Sequence, residues 1–389
     1  MKIVILANNY GEPWAEGGKN NVRRIALALR ERHDVLVAGL GAVTDERAVD
    51  GLRVFRFRSP CYERRFARIG YPLGYLNLIR GASTLLRAER PDVIFSYFET
   101  ASTAAFASLL RRVAAPESVL LHTVWSDWFE PTSIPMSHWA TELVPQLLLN
   151  GRTVSRLGLR GVDRILVTSR HLGKRVEELG RQAAFTPTGV DTGRFRPMPE
   201  VRARKPEGTC RIGYVGHLTY AKGVSLLLEA FEALAADEPR ASLVIAAAGD
   251  FEESKLVSGF RHPRVEVLGY VDAAEIFNTF DVTVLPRRSS YGTASYPNVV
   301  LESMACGTPV VTARLPAIDE IVSDGVDGFL FRPNDAADLL RVLRSLVRAP
   351  DVLARAGERA RQRVQALDWS QVLPAVLEEV ERCAPSSNR

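Results

Sequence analysis

Short apolar runs alternate with helical patterns along this chain, and this alternation restricts the fold more than any other feature of the sequence. The first half begins with an apolar run at Lys2–Ala7, followed by a glycine-containing loop and a helix from about Asn20 to Arg32. Strands separated by helices of this length indicate βαβ units and a parallel sheet. Further strands are predicted at Val35–Gly39, Val54–Phe57, Val93–Tyr97, Ser118–His122 and Arg164–Thr168, and further helices at Leu73–Arg87 and about His171–Leu179.

The second half repeats the pattern after Phe195–Gly208, a segment rich in Pro, Arg and Lys that we interpret as a linker. The sequence therefore predicts two Rossmann-like α/β domains, at residues 1–200 and 205–365. Two tandem sheets also occur in periplasmic binding proteins and epimerases, so the fold alone does not determine the function. Strands of the second domain are predicted at Arg211–Val215, Leu243–Ala247, Val265–Leu268, Val282–Leu285 and Pro309–Thr312, and helices at Val224–Ala236 and Ala336–Arg348.

The composition is that of an ordinary globular protein, with 46% hydrophobic and 24% charged residues in a chain of 389. No apolar stretch reaches the ~20 residues that span a bilayer, and the N-terminal apolar run is too short for a signal peptide. The four cysteines form no CxxC pair and do not cluster with histidine. We therefore expect a cytoplasmic protein without a disulfide framework or a metal site.

The net charge of +5 is unevenly distributed, because Arg53–Arg68 contains six arginines and the single acid Glu63. One interpretation is a solvated strand edge and loop whose interleaved aromatic residues face the core. The other is a surface that meets anionic lipid headgroups or a phosphate-bearing acceptor, at the inner face of a membrane. Nucleic acid is disfavoured as a partner because no recognised binding module accompanies the arginines.

Two segments of the second half carry the pattern of a ligand site. In the segment 296–330, a helix bearing the single acid Glu302 turns at once into an apolar strand, and a second acidic helix is predicted at Asp319–Val322. In the other segment, Gly216 follows a strand and Lys222 follows a few residues later. Glycines after a strand let the backbone approach a phosphate, and strand–loop–helix edges of α/β domains bind ligands. Taken alone, Lys222 fits better as a solvated lysine of a tight turn.

Together these segments resemble the donor-sugar site of family 4 retaining glycosyltransferases, which have the GT-B fold. The resemblance implies two Rossmann-like domains with a cleft between them, and a last helix, at about residues 369–383, that joins the first domain. It implies that Glu302 holds the ribose of a nucleotide, with Asn298 and Val299 at the start of the same helix. It also implies that Lys222 grips the diphosphate.

The sequence departs from the family pattern at two positions. His217, next to Gly216, replaces an arginine that grips the diphosphate together with the lysine, and Ala294 replaces a glutamate that lies against the donor sugar. The loop before the Glu302 helix contains Arg287 and Arg288, which we expect to supply the missing positive charge. The alternative is that Tyr291 or Ser295 of the same loop meets the sugar.

The resemblance also assigns residues outside these two segments. Gly17 and Gly18 form a loop whose N–H groups lie near the donor phosphate and the acceptor, although a plain flexible turn is the alternative. His122, at the end of a predicted strand, matches a histidine beside the transferred sugar, although a lone histidine is more often structural. The backbone around Tyr270 reads the nucleotide base.

The function expected from the resemblance is metal-independent transfer of a sugar, with retention, from a nucleotide diphosphate sugar to an acceptor hydroxyl. UDP is the first guess for the nucleotide because it is the common carrier. The acceptor can be a glycan, a lipid-linked sugar or a small molecule, and no cofactor is expected. Ala294 and His217 motivate one alternative, a catalytically silent GT-B partner of another transferase. A sugar-nucleotide epimerase is the other.

Overall fold

The computed structural model describes residues 1–12, 14, 16–59, 67–127, 151–206, 208–247, 253–290 and 293–384, with residues 67–75 described by their backbone alone. The chain divides into two compact units. The first contains Met1–Pro187 and Val372–Arg389, and the second contains Thr188–Gln371.

The first unit has an eight-stranded sheet with helices between its strands. Its strand order is β3-β4-β2-β1-β5-β6-β7-β8, and every neighbouring pair is parallel except β3 and β4. The strands are β1 (Lys2–Ala7), β2 (Asp34–Gly41), β3 (Asp45–Val49), β4 (Leu52–Arg58), β5 (Val93–Tyr97), β6 (Val119–Val124), β7 (Arg164–Val167) and β8 (Ala184–Phe185). The helices are α1 (Gly17–Arg30), α2 (Ala67–Glu89), α3 (Ala104–Ala114), α4 (Arg152–Arg160) and α5 (Arg170–Glu178).

The second unit has a six-stranded, fully parallel sheet in the order β11-β10-β9-β12-β13-β14. Its strands are β9 (Cys210–Val215), β10 (Ala241–Ala246), β11 (Val265–Leu268), β12 (Val282–Leu285), β13 (Val310–Ala313) and β14 (Phe329–Phe331). Its helices are α6 (Pro199–Arg202), α7 (Val224–Asp237), α8 (Ser254–Gly259), α9 (Ala273–Asn278), α10 (Asn298–Ala305), α11 (Ala336–Val347) and α12 (Pro350–Gln365). Helix α13 (Trp369–Glu381) begins in this unit and continues into the first.

Each sheet reverses its direction of growth beside its first strand. The first unit adds β2 on one side of β1 and β5 on the other, and the second adds β10 on one side of β9 and β12 on the other. At such a switch point the two loops that leave the carboxyl ends of the neighbouring strands diverge, which creates a crevice where α/β sheets bind ligands. A ligand site in each unit is therefore expected among the residues that follow these strands, β1 and β5 in the first unit and β9 and β12 in the second.

The central strands of both sheets are buried at successive residues rather than at every second residue. Ile3, Val4, Ile5 and Leu6 of β1 are all fully buried, as expected for a central parallel strand covered by helices on both faces. The same holds for Val284 and its neighbours in β12. These runs explain why the strand positions are visible in the sequence.

The structure differs from the sequence prediction in several elements. Gly17 and Gly18 form the first turn of α1 rather than a loop before it, since the helix begins at Gly17. The second acidic helix, predicted at Asp319–Val322, is only the single 3₁₀ turn Ile318–Glu320. The predicted linker lies within the second unit and contains α6.

Several elements of the structure were not expected from the sequence, among them the antiparallel edge strand β3 and the helices α3 and α12. β3 reads Asp-Glu-Arg-Ala-Val, with charged residues that face solvent at a sheet edge, so it lacks the apolar signal of the other strands. Helix α13 ends near the predicted position, and its Glu379 forms an ion pair with Arg164 of the first unit at 2.8 Å.

Candidate active site

The turn after β9 contains Gly216 and His217, which the family resemblance places at the diphosphate. Gly216 directly follows the strand and has a φ of 151°, a backbone conformation that favours glycine. The carbonyl oxygen of His217 accepts a hydrogen bond of 2.7 Å from the hydroxyl of Tyr214, which is fully buried. This bond fixes the path of the chain as it leaves the strand. His217 is half-buried and lies at the carboxyl edge of the sheet, and its predicted contact with a diphosphate stays a prediction.

The loop after β12 packs directly against the Lys222 turn. Gly223 has a φ of 72°, and a β-carbon on it would lie 2.0 Å from the carbonyl oxygen of Pro286. The main-chain N–H of Arg288 also donates to the carbonyl of Ala221, at 3.1 Å. Because β9 and β12 are adjacent at the switch point, these contacts hold Lys222 and Arg287 next to each other.

Lys222 and Arg287 form a positive pair at this edge. The half-buried ammonium of Lys222 has no hydrogen-bond or ion-pair partner among the residues that the structure describes. Burial and the charge of Arg287 lower the pKa of Lys222 to about 8. Arg287 is 2% exposed and donates from Nη1 to the carbonyl oxygen of Ala294, at 3.2 Å. Two adjacent cations removed from water favour the binding of an anion.

Arg288 turns away from this pair. Its Nη2 donates to Ser225 Oγ at 3.0 Å, its Nη1 donates to Asn334 Oδ1 at 3.2 Å, and its guanidinium lies 4.6 Å from the centre of the Tyr220 ring. Asn334 Nδ2 donates in return to the carbonyl of Arg288, at 3.0 Å. The two arginines that the sequence treats as equivalent thus have different surroundings, and Arg287 is the one beside Lys222.

Glu302 lies on α10, the helix that links the β12 loop to β13. Its half-buried carboxylate accepts no hydrogen bond and forms no ion pair within the described part of the chain. Burial raises the pKa of Glu302 to about 7, with the charge of Arg194 opposing the shift. A half-buried carboxylate without a described protein partner can accept hydrogen bonds from the hydroxyl groups of a ligand. Asn298 and Val299 are half-buried in the first turn of the same helix.

The segment that enters α10 contains the departure from the family pattern. Ala294 is half-buried, and its carbonyl oxygen is held by Arg287 as described above. Ser295 is buried, and the hydroxyl of Tyr296 donates to Glu320 Oε2 at 2.8 Å. The alternative sugar contact, Tyr291, lies outside the described residues. The predicted role of Ser295 stays a prediction.

Tyr270 follows the edge strand β11, and its side chain is 72% exposed. It lies on the β10 side of β9, away from the switch point. The predicted contact of its backbone with a nucleotide base stays a prediction.

In the first unit, the start of α1 meets the chain that leaves β6. A β-carbon on Gly18 would lie 3.5 Å from the Trp125 ring, which is ordinary van der Waals contact. Trp125 in turn stacks on Tyr97 at the end of β5, with ring centroids 6.4 Å apart. The N–H groups of the first turn of α1, which includes Gly17 and Gly18, therefore lie at the switch point of this sheet.

His122 is fully buried inside β6. Its Nε2 is 2.9 Å from the carbonyl oxygen of Thr100, so Nε2 donates; its Nδ1, 2.9 Å from Ser96 Oγ, then accepts in the neutral ring. Burial lowers the pKa of His122 to about 4. Both ring nitrogens are thus used by the protein, an arrangement typical of a structural histidine, and the predicted contact with a sugar stays a prediction.

Glu99 is a candidate that the sequence analysis missed. It comes two residues after β5, and its backbone carbonyl accepts hydrogen bonds of 3.2 Å from the N–H groups of both Trp125 and Ser126. Its half-buried carboxylate has no hydrogen-bond or ion-pair partner among the described residues. Burial, reinforced by the charge of Glu16, raises its pKa to about 7. An acid directly after a buried strand is the sequence signal that could have identified it.

Asp127 pairs with His171 at 3.0 Å, between the chain leaving β6 and the start of α5. Among the described residues, no group of three or more His, Cys, Asp or Glu side chains is arranged to hold a metal ion. The described helices include none that is both long and apolar enough to cross a membrane.

Two family models match the chain. "Glycosyl transferase 4-like domain" matches residues 16–187, and "Glycosyl transferases group 1" matches residues 209–349. The sulfoquinovosyl transferase SQD2 of Arabidopsis thaliana is 26% identical over 390 aligned positions, which cover 95% of this chain and 71% of that protein.

Solved structures give the same result for the fold. Sucrose-phosphate synthase from Thermosynechococcus elongatus superposes with a TM-score of 0.81 at 20% identity, over 98% of each chain. HepE from Anabaena, solved in complex with UDP and glucose, superposes with a TM-score of 0.74 at 18% identity, over 98% of this chain and 100% of that one. The predicted GT-B fold and the family resemblance are thereby confirmed: the chain is a glycosyltransferase of family 4 with the GT-B fold.

Proposed function

We propose that this chain transfers a sugar from a nucleotide diphosphate sugar to an acceptor hydroxyl, with retention at the anomeric carbon and without a metal ion. The observation that carries the proposal is the chemistry at one sheet edge of the second unit. That edge combines the positive pair Lys222 and Arg287 with the available carboxylate of Glu302. A diphosphate and a ribose diol are the groups that such a set would bind.

In the proposed reaction, the bond between the anomeric carbon and the diphosphate breaks, and the acceptor oxygen bonds to that carbon from the same face. Negative charge grows on the phosphate oxygens as the diphosphate leaves. Lys222 and Arg287 would stabilise this charge in a partly buried place, where cations are worth far more than in water. They would thereby do the work that a metal ion does in other transferases. The leaving phosphate can itself accept the proton of the acceptor hydroxyl, so the proposal includes no separate base.

We propose that Glu302 accepts hydrogen bonds from the two ribose hydroxyls. The N–H groups at the start of α10, at Asn298 and Val299, would supply further donors for the nucleotide. UDP is the proposed nucleotide, and HepE, whose structure contains UDP, supports this choice by its similar fold.

The first unit would supply the acceptor side. Glu99, with its available carboxylate beside the first turn of α1, is the proposed partner of the acceptor hydroxyl. Gly17 and Gly18 contribute N–H groups at the same switch point. The class of acceptor, whether glycan, lipid-linked sugar or small molecule, would be decided by the loops around these residues.

The test is the thermal stability of the purified protein with UDP, GDP, ADP and TDP in excess. A nucleotide at ~100 times its dissociation constant adds about 2.7 kcal/mol to the free energy of unfolding, which shifts the melting midpoint visibly. We expect a shift with UDP that persists in EDTA. No shift with any of the four nucleotides would contradict the proposal and favour the silent partner.

Release of UDP from UDP-glucose by the purified chain separates the remaining alternatives. Hydrolysis or transfer supports a working transferase, and the anomeric configuration of a transferred product, read by NMR, tests retention. An epimerised nucleotide sugar formed without acceptor would instead indicate an epimerase.

We also propose that the protein works in the cytoplasm. The cysteines that the structure describes, Cys210, Cys306 and Cys383, are buried free thiols. Unpaired thiols are typical of a reducing compartment. Secretion of the active protein with disulfide-linked cysteines would contradict this location.

A further inference from the structure

In the described part of Arg53–Arg68, two of the arginines predicted to contact a membrane form ion pairs within the protein. Arg53 of β4 donates to Glu46 and to Glu89, each at 2.9 Å, and Arg56 donates to Asp45 at 2.7 Å. These ion pairs neutralise the strand edge and support the interpretation of a solvated strand. Arg64, Arg65 and the side chain of Arg68 lie outside the described residues.

A different surface of the same unit contains arginines that form no ion pair with a described residue. Helices α3 and α4 contain no acidic residue at all. Arg112 of α3 and both Arg156 and Arg160 of α4 are exposed, and none forms an ion pair with a described residue. Of the arginines on these two helices, Arg111 alone pairs with a carboxylate of the described chain, that of Asp163.

The same surface exposes aliphatic side chains. Leu109 and Val113, one turn apart on α3, are 46% and 52% exposed, and Leu157 of α4 is 56% exposed. On α3, Arg112 lies between the two aliphatic residues in sequence, and on α4, Arg156 directly precedes Leu157. Isolated exposed aliphatic residues are common, but three on adjacent acid-free helices form a shared apolar strip.

The two helices are held side by side by close backbone contact. Ser108 Oγ donates to the carbonyl of Gly158 at 3.3 Å, and a β-carbon on Gly158 would lie 2.9 Å from the carbonyl oxygen of Ala101. Leu109 follows Ser108, and Leu157 precedes Gly158, so the exposed leucines flank this contact. We call the surface formed by Leu109, Arg112, Val113, Arg156, Leu157 and Arg160 the basic helix face.

We propose that the basic helix face docks on an anionic lipid bilayer. Helices that lie in a membrane interface combine an apolar strip with arginine or lysine, whose long stems let the charge reach the headgroups. Charge complementarity selects anionic lipid, because the face has no carboxylate to repel it. Nucleic acid fits less well, since leucine and valine offer no aromatic ring on which a base could stack.

The neighbouring helix α2 adds an exposed aliphatic residue and an exposed arginine to the basic helix face. Leu76 is 55% exposed and Arg80 is exposed without an ion pair among the described residues. Arg87 of α2 donates to the carbonyl of Val113 at 3.3 Å, so α2 and α3 meet at the edge of the face. Three consecutive outer helices of the first unit would thus lie toward the bilayer.

Co-sedimentation with vesicles tests the proposal. The full-length protein is mixed with vesicles of equal parts phosphatidylglycerol and phosphatidylcholine, or of phosphatidylcholine alone, at low and at high salt. We expect binding to the mixed vesicles that weakens in high salt, and little binding to phosphatidylcholine. Binding that is equal for both vesicle types, or absent from both, would overturn the proposal.

Variants locate the contact. The triple variant Arg112→Gln/Arg156→Gln/Arg160→Gln should bind the mixed vesicles about a hundredfold more weakly, at roughly fivefold per arginine. The matched control Arg204→Gln/Arg355→Gln/Arg359→Gln removes the same charge from exposed sites of the second unit. An equal loss in the control would show that net charge, and not this face, drives binding, and would overturn the assignment.

The apolar strip has its own pair of variants. Leu109→Gln/Leu157→Gln should weaken vesicle binding at high salt, whereas Leu256→Gln/Val267→Gln, at two exposed aliphatic sites of the second unit, should not. An unchanged affinity of the Leu109/Leu157 variant would remove the strip from the proposed contact. Circular dichroism and the melting midpoint confirm that each variant is folded.

Discussion

The α-carbon of Gly223 faces the carbonyl oxygen of Pro286 so closely that a β-carbon would approach that oxygen to 2.0 Å. This contact joins the turn that carries Lys222 to the loop that carries Arg287. The spacing of the two cations therefore depends on a residue that contributes no side chain to the site.

Gly223→Ala should lower the free energy of unfolding by about 2–4 kcal/mol, through strain at positive φ and through the clash with Pro286. It should also weaken UDP binding, because the two loops must separate. Urea denaturation and the UDP-induced shift of the melting midpoint measure the two effects. The matched control is Gly325→Ala, whose φ of 73° is the same but whose β-carbon would meet open space. Gly325→Ala should lose only about 1–2 kcal/mol and keep the UDP shift, and equal losses would contradict the contact.

Lys222→Ala should reduce turnover of the donor by ~10²-fold or more, which is the scale of losing one preorganised charge-stabilising donor. Steady-state release of UDP from UDP-glucose is the readout. Lys255→Ala, at an exposed lysine of the same unit, is the control and should retain normal turnover. Near-normal turnover of Lys222→Ala would remove this residue from the proposed diphosphate site.

The pH dependence of stability should reveal Glu302. Its folded pKa of about 7 lies above the usual value of 4.5, so folding becomes less favourable as pH rises from 4.5 to 7 and the full cost is present above 7. Glu302→Gln should therefore raise the free energy of unfolding at pH 8, by an amount of order 2 kcal/mol, and change it little at pH 4. The same variant should weaken UDP binding. Urea denaturation at both pH values is the measurement, and Glu229→Gln, at an exposed site on α7, is the control.

Glu99 provides the complementary case in the first unit. Its pKa is also raised to about 7, so Glu99→Gln should likewise stabilise the protein at pH 8 relative to pH 4. UDP binding should stay normal, because the proposed role of Glu99 concerns the acceptor and not the nucleotide. A large loss of the UDP-induced shift in Glu99→Gln would argue against that division of roles.

His122→Ala should destabilise the protein by about 2–4 kcal/mol, since it leaves a cavity and removes a hydrogen bond to Ser96 and one of those to the Thr100 carbonyl. The wild type should lose stability as pH falls from 6.5 toward 4, because the unfolded imidazole takes up a proton that the buried one, with its pKa of about 4, refuses. That loss should be absent in the variant. Turnover is then measured at a low temperature at which the variant remains folded. Normal turnover would indicate a structural role for His122, and a large loss of turnover would indicate a catalytic one.

The sequence predicted the strands well because each central strand is a mainly apolar run, as in β5 and β12, whose predicted bounds agree with the structure. It missed β3, whose charged residues form a solvent-facing edge, and it took Gly17 and Gly18 for a loop, since glycine is rare inside helices. The family resemblance predicted roles for Lys222 and Glu302, and these roles stay predictions. The sequence could not separate Arg287 from Arg288, because adjacent residues of one loop differ only in the partners that the fold brings to them. Glu99 was missed because its neighbours, Glu16 and Trp125, are distant in sequence.

The chain on both sides of residues 289–293 is fixed by hydrogen bonds. Arg288 on one side donates to Ser225 and Asn334. On the other side, the carbonyl oxygen of Ala294 accepts from Arg287, and Tyr296 donates to Glu320. Replacements between Arg288 and Ala294 would leave these contacts, and with them the cation pair, in place. We therefore expect residues 289–293 to tolerate replacement by the corresponding residues of other family members, which makes them the natural place to engineer a new sugar preference.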